Sequence, residues 1–70
     1  MSEQEVKGLE GRVITCKSRK LFSPVTGLFK VFFAGVIIVY SRNGIYGIYP
    51  HDLEFLKEAG EAEQLQTVPA

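Results

Sequence analysis

Apolar positions along this chain fall into dense runs separated by turn residues. The longest run, Leu28 to Tyr40, reads L-F-K-V-F-F-A-G-V-I-I-V-Y and carries one charge, Lys30. Val, Ile and Phe dominate it, and these types fit a pleated surface. The run has no polar side, so it reads as strand covered on both faces. Its thirteen residues exceed the usual ~5–6 of one strand, and Gly35 is the natural bend. The pattern therefore predicts one long bent strand over 28–41, with segments at about 28–34 and 36–41 serving different sides of a small barrel.

Shorter elements flank it. Arg12 to Lys17 alternates, with Val13 and Thr15 on one face and Ile14 and Cys16 on the other, as a first strand does. A long loop at about 18–27 follows, with turn chemistry in Ser23-Pro24-Val25-Thr26-Gly27. Asn43-Gly44 between two β-rich runs predicts a tight hairpin of type I′. Ile45 to Tyr49 is the next strand, Pro50 to Leu53 a short 3₁₀ turn, and Leu53 to Leu56 a last brief element. Residues 1–6 read as a flexible terminus, and residues 58–70 as an acidic tail, disordered or a frayed helix.

Four or five short strands, a long loop after the first and a Pro-x-x-Leu-Glu turn before the last resemble the SH3-like small barrels. Gly8-Leu9-Glu10-Gly11-Arg12-Val13-Ile14 is similar to the opening of KOW-type barrels. The Sm-like barrels are a neighbouring likeness, although their base-holding motifs are not recognisable here. The resemblance spans about residues 7–57 and implies an all-β fold more than a function. Tyr46-Gly47-Ile48-Tyr49-Pro50 also resembles the Val-Gln-Ile-Tyr-Pro of the type B dihydrofolate reductases, which are SH3-like tetramers. Gly47 stands where that family has its pore-facing glutamine, so only Ile48 and Tyr49 carry over.

Seventy residues make one domain, and a chain this short is marginal without a staple or a partner. The single Cys16 excludes an internal disulfide, and His51 is the only histidine, so no metal or other cofactor is expected. One unpaired cysteine and a polar, acidic N-terminus point to a reduced, cytoplasmic setting. Leu21 to Tyr40 is interrupted by Ser23, Pro24, Thr26 and Lys30, and its clean part of ten residues falls short of the ~20 a spanning helix needs. Net charge is zero but divided, with Glu3 and Glu5 giving −2 over residues 1–5. Residues 6–42 carry Lys7, Arg12, Lys17, Arg19, Lys20, Lys30 and Arg42 against Glu10, hence +6. Lys57 stands against Asp52, Glu54, Glu58, Glu61 and Glu63 after them, hence −4.

A basic body suggests a polyanion partner. Lys17, Arg19 and Lys20 beside Phe22, with Lys30 and Arg42, form the candidate site for RNA or single-stranded DNA, because cations hold phosphate while a phenyl ring stacks a base. The competing class is a protein-interaction or assembly module. Its candidate surface is Phe29, Phe33, Tyr40, Tyr46 and Tyr49, with Tyr40 and Tyr46 expected near each other as a cross-strand or a diagonal pair. Simple alternation puts Leu28, Phe32, Val36, Ile38 and Tyr40 on one side and Phe29, Val31, Phe33, Ile37 and Val39 on the other, and one small barrel has one interior. A homo-oligomer is therefore expected. No residue constellation points to catalysis: Cys16 reads as a small buried hydrophobe and His51 as a surface residue.

Overall fold

The computed structural model describes residues 3–60, and the expected acidic tail lies, from residue 61 on, outside the described residues. The fold is all-β. A short helix α1 (Glu3–Lys7) precedes strands β1 (Val13–Ser18), β2 (Val25–Phe33), β3 (Val36–Ser41) and β4 (Gly44–Ile48). A 3₁₀ turn at Pro50–Asp52 then leads into β5 (Leu53–Glu58). The strands form one antiparallel sheet in the order β4-β3-β2-β1-β5, which is not closed: β4 and β5 are its two edges. A four-strand meander thus runs to one edge, and the last strand returns to pair with the first.

The long apolar run is two strands rather than one bent strand. Ala34 and Gly35 both have positive φ, +53° and +78°, and Phe33 pairs with Val36 across them. Left-handed backbone at both central positions is what a two-residue hairpin needs to match strand twist. The bend expected at Gly35 is therefore a full reversal. At the next hairpin Ser41 pairs with Gly44, so Arg42 and Asn43 are the central residues. Neither has positive φ, whereas Gly44 has φ +136°, so this turn is not the type I′ expected from Asn-Gly.

A bulge at Lys30 sets which side chains face inward. Phe29 pairs with Val39 and Val31 with Ile38, leaving Lys30 as the extra residue. The extra residue shifts the side-chain phase by one. Phe29 and Phe32 then share the core face with Ile37 and Val39, while Val31 and Phe33 turn outward with Val36, Ile38 and Tyr40. Simple alternation misplaces Val31, Phe32 and Phe33 for this reason. Beyond the bulge β2 outruns β1, and its Phe32 N–H is capped by the Glu10 carboxylate at 2.6 Å.

The core joins Ile14 and Cys16 of β1, Val25 and Phe29 of β2, Ile37 and Val39 of β3, Ile48 of β4 and Leu56 of β5. Val6 closes it from α1. The N-terminus, expected to be loose through residue 6, is thus tied down from Glu3 by a helical turn with a buried valine. Gly27, expected in a turn, lies inside β2, where a Cβ would come within 2.4 Å of the Tyr40 carbonyl oxygen. Only glycine lets these two backbones pack so closely. No helix among the described residues is long and apolar enough to cross a membrane.

Candidate functional site

The return of β5 to β1 rearranges the charges that look segregated along the chain. The acidic segment is laid on the basic one. Lys17 Nζ donates to Glu54 Oε2 at 2.6 Å and to the Ser18 carbonyl at 2.9 Å, and its side chain is largely covered. Arg12 pairs with Glu58 at 3.1 Å and Lys20 with Asp52 at 3.6 Å. Among the described residues, Arg12, Lys17 and Lys20 of the basic stretch are therefore matched by carboxylates of the last segment. The exposed Arg12 pair adds little to stability, while the partly covered Lys17 pair removes a cation from the surface on offer. No group of three or more His, Cys, Asp or Glu is placed to hold a metal ion among the described residues.

One end of the sheet still gathers cations and aromatic rings. The β1–β2 loop is held by Leu21 N–H to the Ser18 carbonyl at 3.0 Å and by Arg19 N–H to the Asp52 carbonyl at 2.8 Å. It projects Phe22, whose relative exposure of 107% leaves the whole ring in solvent. Under the loop lies a cleft of ≈ 180 Å³ between Ser23, Pro24 and Thr26 on one side and Ser41, Arg42 and Asn43 on the other. A second cleft of ≈ 130 Å³ is bordered by Lys20, Leu21, Tyr49 and Asp52. Tyr46 lines both clefts. Tyr49 stacks on His51 with ring centroids 5.4 Å apart. Loop and clefts together form a rim carrying Arg19, Lys20, Arg42, Phe22, Tyr46 and Tyr49, with Asp52 as its half-covered acid.

The expected nucleic-acid set is thus divided. Arg19, Lys20, Phe22 and Arg42 belong to this loop end. Lys17 is engaged by Glu54, and Lys30 sits at the bulge, toward the Ala34-Gly35 tip. The expected interface set is divided too. Phe29 is 0% exposed and is core. Tyr40 pairs with Ile45, and Tyr46 with Val39, so Tyr40 faces outward while Tyr46 packs against the core. The predicted Tyr40–Tyr46 contact fails because a two-residue turn between residues an even number apart puts them on opposite faces of the sheet. Phe33 and Tyr40 do lie exposed on the outer face, and Tyr49 on the rim.

Sequence reasoning missed Tyr46 as a wall of both clefts and Asp52, Glu54 and Glu58 as the acids opposite Lys20, Lys17 and Arg12. Antiparallel pairing of the first and last strands would have given the acids, since it sets residues 53–58 against 14–18. Cys16 is wholly buried, and burial pushes its thiol up to about 11. A thiol so placed is a poor nucleophile. His51 is exposed on the 3₁₀ turn. Ile48, one of the two residues shared with the reductase pattern, is buried in the core, and Gly47 of that stretch opens on the outer face. No protein-family model, curated protein or solved structure matches this chain.

Proposed function

We propose that this chain is a non-catalytic binding module of the SH3-like small-barrel type, cytoplasmic, that takes single-stranded nucleic acid at its loop end. A meander whose fifth strand returns to the first, with a 3₁₀ turn just before it, supports the small-barrel reading. One observation carries the function: Phe22 stands wholly in solvent within a loop that also bears Arg19 and Lys20 and whose Ser23 and Pro24 wall a cleft with Arg42 and Tyr46. Exposing a whole phenyl ring to water is unfavourable unless a partner covers it. Base stacking on an aromatic ring is worth ~1–3 kcal/mol and tolerates any base, while adjacent cations hold the backbone.

The cation count sets the expected strength. With Arg19, Lys20 and Arg42 as phosphate contacts, single-strand affinity should vary with salt with a logarithmic slope of roughly −2. Raising salt from ~50 to ~200 mM should then weaken binding about 10- to 20-fold. Fluorescence anisotropy with labelled oligo-uridine and oligo-thymidine is the test. Phe22→Ala and the double variant Arg19→Ala/Lys20→Ala should each weaken binding, whereas Lys30→Ala should leave it unchanged. The competing reading, a protein-interaction module, rests on the apolar outer face and predicts association insensitive to salt. If the wild type ignores both oligonucleotides at ~50 mM salt, where electrostatic binding is favoured, the nucleic-acid reading fails and the loop end passes to a protein partner.

A further inference from the structure

The outer face of the sheet is apolar across β1 to β4 except for exposed Lys30, the extra residue of the β2 bulge. One row runs Val13, Leu28, Tyr40, Ile45 across β1 to β4, the next Val31, Ile38, Gly47, and the last Phe33, Val36. Phe33 is 70% exposed, Ile45 69% and Tyr40 44%, with Val31 and Phe55 also exposed. Two further cations, Lys17 and Lys57, stand at the β1–β5 side, where Lys57 Nζ lies 6.0 Å from the Phe55 ring centroid. A buried aromatic residue covers ~150–250 Å², so the exposed fractions of Phe33, Ile45, Tyr40 and Val31 amount to on the order of 400 Å², with Phe55 standing apart on β5. Half-covered Val13, Leu28, Val36 and Ile38 extend the patch. Monomers rarely show contiguous apolar patches above a few hundred Å², and a stable interface takes ~800 Å² from each partner.

We infer that this face binds a second copy of the chain, the two sheets stacking face to face about a two-fold axis parallel to the strands and lying between β2 and β3. The register of the apolar rows selects this occupant, and the area fits an interface at the low end of the size range. Such an axis lays β4 of one copy over β1 of the other and β3 over β2. Row by row, Ile45 then meets Val13, Tyr40 meets Leu28 and Val36 meets Phe33, apolar against apolar at each crossing. Lys57, on β5, falls beyond the partner's β4 edge, and Lys17 lies past the Gly44 end of that strand, so both stay in water. A stack ~10 Å deep closes on these side chains as a β-sandwich core does. The Lys30 bulge is the device that supplies the patch, since without its phase shift Phe33 would not point outward. The loop end is not part of this surface, so assembly and ligand binding are separable.

Sedimentation velocity from about 1 to about 100 µM reads the dimer directly, with a dissociation constant in the micromolar range expected for an interface of this size. Phe33→Glu and Ile45→Glu each place a carboxylate in the apolar stack and should raise that constant at least ~100-fold, with an unchanged circular dichroism spectrum. Two variants on different strands keep the test sound if one fails to fold. Lys57→Glu, outside the stack, should leave the constant unchanged. The register is tested by isotope-filtered NMR on a mixed-label sample. Val13 and Ile45 stand three strands apart in one copy, ~14 Å, so a Val13–Ile45 contact arises only between copies. A wild type that stays monomeric at ~100 µM, a dimer that survives both glutamate variants, or a dimer without the Val13–Ile45 contact would overturn the proposal.

Discussion

Exchanging alanine and glycine at the two central positions of the β2–β3 turn should move stability in opposite directions from the usual expectation. Ala34 holds φ +53° and Gly35 φ +78°. A Cβ in left-handed backbone costs ~1–2 kcal/mol. Replacing alanine by glycine loses ~0.4–1 kcal/mol through the freer unfolded chain. Ala34→Gly therefore gains more than it loses, and the protein should be stabilised by ~0.5–1 kcal/mol. For a domain of this size that is about 2–8 °C in melting temperature. Ala34→Asn, which restores an Asn-Gly turn, should match it. Gly35→Ala should destabilise by a similar amount, although nothing lies within 4 Å of the added methyl, which separates backbone strain from crowding. Thermal melts followed by circular dichroism, checked by urea titration, are the assay. A lower melting temperature for Ala34→Gly would refute the turn geometry and, with it, the division of the long run into β2 and β3.

Two further perturbations test the packing. Gly27→Ala brings a methyl within 2.4 Å of a backbone oxygen that cannot swing aside. It should cost ~3 kcal/mol or more in chemical denaturation, the upper range for overpacking. Cys16, buried and with its thiol pushed up to about 11 from 9.0, should resist a thiol reagent in the native protein and react at the rate of unfolding. Only the unfolded chain ionises this thiol between those values, so Cys16 contributes a loss of stability as pH rises from about 9 to about 11 and none below. A pH series of urea melts, compared with Cys16→Ala, reads that slope.

Much of the strand pattern was legible in the residues, and the failures have local causes. Val13-Thr15 and Ile14-Cys16 alternate as predicted because β1 is regular and central. Pro50-His51-Asp52 gives the 3₁₀ turn because proline fixes its first φ. The Ala34-Gly35 reversal was hidden because alanine rarely enters left-handed backbone, so Phe33-Ala34-Gly35-Val36 has no turn signature. The Lys30 bulge was hidden because a single lysine in an apolar run carries no bulge signal and reads as a phosphate contact, yet it decides whether Phe32 or Phe33 faces the core. The candidate site was half legible. Local clustering found Arg19, Lys20 and Phe22, but the neutralisation of Lys17 by Glu54 depends on a contact between residues far apart in sequence, which composition along the chain cannot show. Net charge by segment misled for the same reason: β5 returns to β1 and superimposes the two segments.

The central claim is that ligand binding belongs to the loop end and not to the basic stretch as the sequence reads. A two-dimensional amide NMR titration with a short single-stranded oligonucleotide tests it most directly. The account predicts chemical-shift changes confined to residues 19–24, 41–43 and 46–49, with Lys17, Lys30 and the outer-face residues Val31, Ile38 and Tyr40 silent. Shifts centred on Lys17 and Lys30, or spread over the outer face, or absent altogether, would contradict it.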